Sequence, residues 1–329
     1  MSLFPYHTRK LSPITYGQGG DIQSVLVRTP ATVANMVCGF DVLGFAVEEP
    51  YDTMRLSRTN QPGITIIHED NFGLSCDPAQ NVAGVALLSL LEEAGLKNIG
   101  LELRMHKQIK PGSGVGSSAA SAAGAVVAAN LLLQQPYQNN DLVRFAMNGE
   151  KLASGVKHAD NIAPCIYGGI TLVRSIFPLD IISLTAPDLY VTIVHPQIEV
   201  RTADARSILK QNIQLRDAIR QWGNIAGLVA GLMKGDHALI GRSLEDVLIE
   251  PVRSILIPGF DAIKKKSKEA GALGGGISGS GPSIFMLSSE HHTALQVEQE
   301  MKAIYTAIGL DYFTYVTRIC SKGIRVTIQ

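Results

Sequence analysis

The chain has 329 residues, enough for roughly two domains. Of these, 46% are hydrophobic and only 18% charged, a balance that supports packed cores and excludes an intrinsically disordered chain. The 29 basic and 29 acidic residues cancel. No basic excess is available to neutralise a phosphate backbone, so nucleic acid is not an expected partner. Cys38, Cys76, Cys165 and Cys320 are far apart and form no metal-binding spacing with histidine, which points to free thiols in a cytoplasmic protein. No stretch reaches ~18 consecutive apolar residues, so no membrane partner is expected.

Residues 1–22 read as a flexible polar leader, with Gly17, Gly19 and Gly20 near its end and no apolar core of signal-peptide type. Ile22 to Val27 alternates as a strand closed by Pro30. Thr53 to Leu56 and Ile64 to Ile67 are further strands. Asn81 to Ala94 predicts a helix with Val82, Val85, Leu88 and Leu91 on one stripe and Gly95 at its end. Leu101 to Met105 alternates as a strand. A glycine-rich stretch from Lys110 then runs into a small-residue helix through Leu133. Asp141 opens a helix that carries Glu150, and Ala163 to Val173 reads as strand. Pro178 and Asp180 break the pattern and set a domain boundary near residue 177, dividing 23–177 from 178–329.

In the second half Tyr190 to Val194 is a strand, and one or two helices lie between Thr202 and Met233. Phe260 to Glu269 is helical, with the Lys264 to Lys268 run as its solvated face. Ile284 to Leu287 is a buried strand, Thr293 to Ile308 a helix, and Tyr315 and Val326 mark terminal strands. Strands and helices mix without a regular βαβ period, so the class is α+β. There is no repeat of 20–50 residues.

Gly112, Gly114 and Gly116 are separated by single residues and followed by Ser117, Ser118 and an alanine-rich helix. Glycines let backbone N–H groups turn inward, and a helix N-terminus adds more of them with a positive dipole end, which together make an anion cradle. A Walker A loop would need Lys-Ser/Thr after its last glycine, and a dinucleotide fingerprint would need glycine at 117 or 119. Serine and alanine stand there. The loop alone leaves a phosphate cradle and a plain tight turn equally open.

Two more segments decide between them. Gly112-Ser-Gly-Val-Gly-Ser-Ser-Ala-Ala120 is similar to the phosphate motif of the GHMP kinases, with Val115 for the usual leucine. That family's other motifs follow the same order: Pro30-Ala-Thr-Val-Ala-Asn35 with Gly39-Phe40-Asp41, and Gly274 through Ser283. Within the superfamily the chain resembles the homoserine kinases, through Gly39 to Gly44, Lys157 to Pro164, Thr202 to Arg206, Glu250 to Arg253 and Leu256 to Phe260. Met36-Val37-Cys38 departs from the Leu-Gly pair usual there. The resemblance implies a two-domain GHMP kinase fold: a ribosomal protein S5 domain 2-like N-terminal domain, a ferredoxin-like C-terminal domain, and a cleft between them. It implies ATP-dependent phosphorylation of the side-chain hydroxyl of L-homoserine, on the route to threonine, with magnesium. Another small-alcohol kinase of mevalonate type and a catalytically silent metabolite-binding regulator are the alternatives. A homodimer is left open.

Matched to that reaction, Arg206 and Arg253 suit the substrate carboxylate, since guanidinium forks bind carboxylates bidentately. Asp41 suits the ammonium. Asn35, His158 and Asn161 would orient the hydroxyl and main-chain portions. Ser118 and Glu150 would hold magnesium, with Ser117 a third choice, and Asp160 would orient or act electrostatically. ATP would contact Pro111, Gly112, Ser113, Gly114, Val115, Gly116, Ser117, Ser118, Ala119 and Ala120, and Asn81 would approach adenine. Each residue also has a plainer reading: Asp41 in a turn, Asn35 as a cap, Arg206 on a surface helix, Arg253 paired with Glu250, Glu150 as an exposed carboxylate, Asn81 as a helix start.

Overall fold

A computed structural model describes residues 22–96 and 98–329; most of the leader, residues 1–21, lies outside it. The first strand is longer than its alternation suggests: β1 spans Ser24–Ala34 and passes through Pro30. The register against β2 (Leu43–Thr59) shifts between Pro30 and Thr32, and such a bulge is where a residue without an N–H fits in a strand. β3 (Gly63–His68), α1 (Val82–Glu93), β4 (Gly100–His106), α2 (Ser117–Leu132) and α3 (Asn139–Ser154) follow. The apolar run Ala163 to Val173 is divided: α4 (Ile162–Tyr167) ends at Gly168, and β5 begins at Ile170. A short apolar run has no period that separates a buried helical turn from a strand.

β5 (Ile170–Ile176) and β6 (Leu179–Leu184) form an antiparallel hairpin. The boundary expected at residue 177 therefore falls on its turn, because Pro178 and Asp180 signal a reversal of the chain. The change of sheet comes later, between Leu184 and Tyr190, the start of the next strand. Among the described residues the first sheet has seven strands, with the C-terminal strand β11 (Arg325–Ile328) at one edge, in the order β11-β1-β2-β4-β3, with β5 on β2 and β6 on β5. Its last member, β11, returns from the C-terminus to pair with β1. α1, α2 and α3 pack on one another, and α2 lies on β1 and β2. The close fit depends on small residues: Ala119, Ala120, Ala122 and Ala123 are all within 1% of full burial.

The second half supplies β7 (Tyr190–Pro196), α5 (Thr202–Ser207), α6 (Leu215–Lys234), α7 (His237–Ser243), α8 (Glu250–Arg253), α9 (Phe260–Glu269), β8 (Gly274–Ile277), β9 (Ile284–Ser288), α10 (His291–Ile308) and β10 (Tyr312–Arg318). The sheet order β10-β7-β9-β8, with α9 and α10 packed together, is the split βαβ arrangement of a ferredoxin-like domain. Phe260, Ile263, Met301 and Tyr305 form the core between sheet and helices. In the lysine run Lys266 is exposed beside Glu269, but Lys264 turns inward and pairs with Glu250.

Candidate active site

A cavity of about 360 Å³ opens between the two sheets. One end is the loop before α2. Gly112, Gly114 and Gly116 have φ of 76°, 82° and 73°, the left-handed region that favours glycine. At Gly114 a Cβ would also lie 2.5 Å from the Gly281 carbonyl oxygen. The third glycine-rich segment thus backs directly onto the phosphate loop, and Ser278 Oγ donates to the Gly114 carbonyl at 2.7 Å. Gly116 caps α2, so the unpaired N–H groups of a sixteen-residue helix face the cavity.

Pro111, Gly112, Gly114, Gly116, Ser117 and Ser118 line this cavity. Ser113, Val115, Ala119 and Ala120 do not. Ser113 and Val115 line a separate space behind the loop, and Ala119 and Ala120 are packed in the core. Ser117 Oγ is turned away, donating to the Ile109 carbonyl at 2.8 Å. Ser118 Oγ donates to Glu150 Oε2 at 2.7 Å, which brings the two expected magnesium ligands together. Asn81 reaches the wall with its polar atoms occupied: Oδ1 accepts from the N–H of Ala83 and Gly84 at the start of α1, and Nδ2 donates to Ser75 O and His68 Nε2. It caps α1 through Oδ1.

Lys107, unassigned from the sequence, lies under the loop. Its Nζ pairs with Asp52 and donates to Ser121 Oγ at 2.8 Å and to the Ser117 carbonyl at 3.2 Å. Asp52 also accepts from the N–H of Gln108 and Ile109. This buried pair is saturated with hydrogen bonds, as a desolvated pair must be, and it fixes the chain where it approaches the glycines. Thr32 contributes as well, with Oγ1 donating to Asn161 Oδ1 at 2.8 Å beside Gly116.

At the other end four distant segments converge. Asn35, Met36 and Val37 have successive φ of 72°, 44° and 66°, a conformation strained for non-glycine residues, above all a β-branched one. Surroundings hold it there. Asn35 Nδ2 donates to Gly279 O at 2.8 Å, its Oδ1 accepts from Asp41 N, and Gln221 Nε2 donates to Cys38 O at 2.8 Å. The departure at Met36-Val37-Cys38 is thus a buried left-handed turn that aims Asp41 into the cavity. Asp41 receives Arg206 Nη2 at 3.0 and 2.9 Å. The same nitrogen lies 3.1 Å from His158 Nε2. A guanidinium only donates, so Nε2 is the acceptor and the imidazole proton sits on Nδ1, 3.6 Å from Asp41. Arg253 donates to Ala205 O and shares Gly279 O with Asn35; Glu250 is not its partner. The Phe40 ring stands between the arginines, 5.5 Å from the Arg206 guanidinium carbon and 5.0 Å from that of Arg253.

Burial dominates the site's proton affinities. It raises Glu150 to about 7, with the Ser118 hydrogen bond opposing. It raises Asp160 to about 7, aided by the charges of Asp41 and Glu150. It lowers His158 against the pull of Asp41. Three carboxylates facing one cavity favour a cation among them.

Residues 81–169 match the family described as GHMP kinases N terminal domain, and residues 228–307 match GHMP kinases C terminal. A homoserine kinase of Chlorobium phaeobacteroides is 45% identical over 90% of this chain and 97% of its own length. One from Chloroherpeton thalassium is 47% identical over 85% and 92%. The chain belongs to the homoserine kinase family. The crystal structure of homoserine kinase from Cytophaga hutchinsonii superposes with a TM-score of 0.90 at 48% identity, covering 95% of this chain and 99% of that one. Mevalonate kinase from L. major shares only the fold, with a TM-score of 0.69 at 19% identity. The two-domain GHMP kinase fold and the kinase class are therefore those expected from the motifs.

Proposed function

We propose that this member of the homoserine kinase family transfers the γ-phosphoryl group of ATP to the side-chain hydroxyl of L-homoserine. The observation that carries this is the cavity's polarity: an anion cradle at one end, and at the other a carboxylate and two guanidiniums, Asp41, Arg206 and Arg253. An amino acid presents the matching ammonium and carboxylate. Mevalonate, with a carboxylate and no ammonium, would leave Asp41 uncompensated.

In this reading the backbone N–H groups at Gly112 to Ser118 hold the ATP phosphates. Ser118 and Glu150 fit a hard cation. Among the described residues no three His, Cys, Asp or Glu side chains cluster as a metal cage, and magnesium binds through one or two protein oxygens plus phosphates. Bound there, magnesium would neutralise charge on the transferred group. The homoserine zwitterion takes over the groups that Asp41 and Arg206 now offer each other. Its ammonium replaces the guanidinium at Asp41, and its carboxylate engages Arg206 and Arg253. The hydroxyl oxygen forms a bond to the γ-phosphorus as the bond to the bridging oxygen of ADP breaks, and the hydroxyl proton passes to solvent water as the phosphate ester forms.

Asp160 and Asn161 stand between the two ends, and Asp160 orients and balances charge there. Asp160→Asn should retain measurable turnover with no new acid limb in kcat. A loss of ~10²–10⁴-fold with both substrates still bound would make Asp160 a general base instead. ADP release measured with homoserine, mevalonate and galactose tests the whole reading. Release with homoserine alone is expected, and faster turnover of either other alcohol would overturn it. The reaction belongs to threonine biosynthesis and to the cytoplasm. No helix among the described residues is long and apolar enough to cross a membrane.

A further inference from the structure

Asn161 immediately precedes α4, the place where an asparagine side chain ordinarily turns back to cap its own helix. It makes no such bond here, and its backbone is already helical. The side chain is engaged across the fold instead. Oδ1 accepts from Thr32 Oγ1 at 2.8 Å, a contact that spans 129 residues. Thr32 is fully buried on β1, while Asn161 lines the cavity. The pair also packs against the phosphate loop. A Cβ at Gly116 would lie 2.0 Å from Thr32 Oγ1 and 3.1 Å from Asn161 Oδ1, and the Thr32 N–H donates to the Val115 carbonyl at 3.1 Å.

The hydroxyl sets which way the amide turns. A threonine hydroxyl carries one proton, and Asn161 Oδ1 is the acceptor it finds among the described residues. With the amide reversed, Oγ1 would face an N–H, and its own proton would be left buried without an acceptor, which costs more than the hydrogen bond returns. Thr32 therefore holds the amide oxygen against β1. The amide nitrogen, with both of its N–H groups, is what Asn161 offers the cavity.

We propose that Thr32 is a positioning residue, which turns the Asn161 amide so that its N–H groups, and not its carbonyl, meet the oxygens of the phosphoryl group in transfer. This deepens the kinase reading and rests on it. The placement suits the role, because the pair sits against Gly116, where the backbone cradle ends and α2 begins. Preorganised donors aimed at oxygens that gain negative charge stabilise the transition state more than the bound substrates. The orientation also denies Asn161 the part of proton acceptor, since its oxygen faces Thr32 and not the substrate hydroxyl.

The test is kcat and KM of full-length variants with ATP and the alcohol that wild type phosphorylates fastest. Thr32→Val keeps the shape and the backbone N–H but loses the donor. It should lower kcat roughly 10-fold, with KM for ATP and for the alcohol nearly unmoved. Thr32→Ser keeps the hydroxyl and should recover most of that loss. Asn161→Ala should lower kcat at least as far, and adding Thr32→Val to it should cost almost nothing more, because Thr32 acts through Asn161. Losses that multiply in the double variant would place Thr32's effect in Val115 or the fold and overturn the proposal, as would equal losses in Thr32→Val and Thr32→Ser. Asn161→Asp still accepts from Thr32 but turns an oxygen toward the phosphates, so it should be slower than Asn161→Ala. An Asn161→Asp variant as fast as Asn161→Ala or faster overturns the proposal even if Thr32→Val does not fold. Each comparison is a ratio on one substrate, so it stands whichever alcohol that is; failure of the homoserine reading shows separately, as a different preferred alcohol.

Discussion

The glycine loop at one end of the cleft and the Asp41, Arg206 and Arg253 cluster at the other hold charge by different means. The loop is one run of chain whose donors are backbone N–H groups, fixed by positive φ at Gly112, Gly114 and Gly116 and by the buried Lys107–Asp52 pair. The cluster is drawn from segments as far apart as residues 35 and 253, and its donors are side chains already occupied, Arg206 by Asp41 and Arg253 by the carbonyls of Ala205 and Gly279. Phosphate enters a cradle that exists before it arrives. An amino acid must exchange partners with an ion pair. The loop's own backbone donors resist side-chain substitution, whereas Glu150 beside them and each charge of the second end should respond separately.

The largest effect that could break this contrast is at the phosphate end. Glu150→Gln should lower kcat by on the order of 10²–10³-fold, the usual loss when one electrostatic stabiliser of a transferring group is removed, while homoserine binding changes little. Near-normal kcat at ordinary magnesium would take Glu150 out of the ligand set and leave the loop acting without side chains.

Behind the loop, buried His195 is pushed down from 6.5 to about 4, chiefly by desolvation and secondarily by Lys110. Its Nδ1 accepts from Gln197, so the folded state holds it neutral. Above pH 6.5 neither folded nor unfolded chain binds this proton, and its contribution is flat. As pH falls from 6.5 toward 4 the unfolded chain takes up a proton that the folded chain does not, so stability declines by about 3 kcal/mol. Urea unfolding across that window should show the decline in wild type and a shallower slope in His195→Gln. Parallel slopes would mean that His195 is protonated in the folded protein.

A smaller effect sharpens the other end. Gln221 links Cys38 O in the left-handed turn with Asp246 Oδ1, which accepts from the N–H of Leu248 and Ile249 just ahead of α8, and α8 carries Arg253. Gln221→Met removes the link at similar volume. It should raise KM for homoserine roughly 5–10-fold, the scale of one hydrogen bond of about 1 kcal/mol, with KM for ATP unmoved. Equal increases for both substrates would show that Gln221 merely supports the fold.

The same contrast explains what the sequence disclosed. The phosphate loop was legible because its residues are consecutive and each glycine has a backbone reason to be there. The candidate substrate residues were legible only as matches to family segments. Their mutual contacts were not, since Arg206 meets Asp41 across 165 residues and Gln221 meets Cys38 across 183. Phe40 lay inside a quoted motif, yet nothing in a linear pattern shows an aromatic ring between two arginines. Nothing in the linear sequence pairs Lys107 with Asp52, which meet across 55 residues. The run Ala163 to Val173 was misread because a short apolar segment has two tertiary outcomes, a buried helical turn or a strand.

The central claim is that Asp41, Arg206 and Arg253 recognise an amino-acid zwitterion, and kcat/KM for the arginine variants tests it most directly. Homoserine should be compared with the amino alcohol left when its carboxyl group is removed. Arg206→Lys and Arg253→Lys keep the charge but lose the fork, and should cost up to ~1.5–3 kcal/mol, or about 10–150-fold, with homoserine. The loss should shrink sharply with the amino alcohol, which has no carboxylate to engage, and ATP affinity should hold. An equal loss for both substrates would contradict the account and assign the arginines to ATP or to the fold.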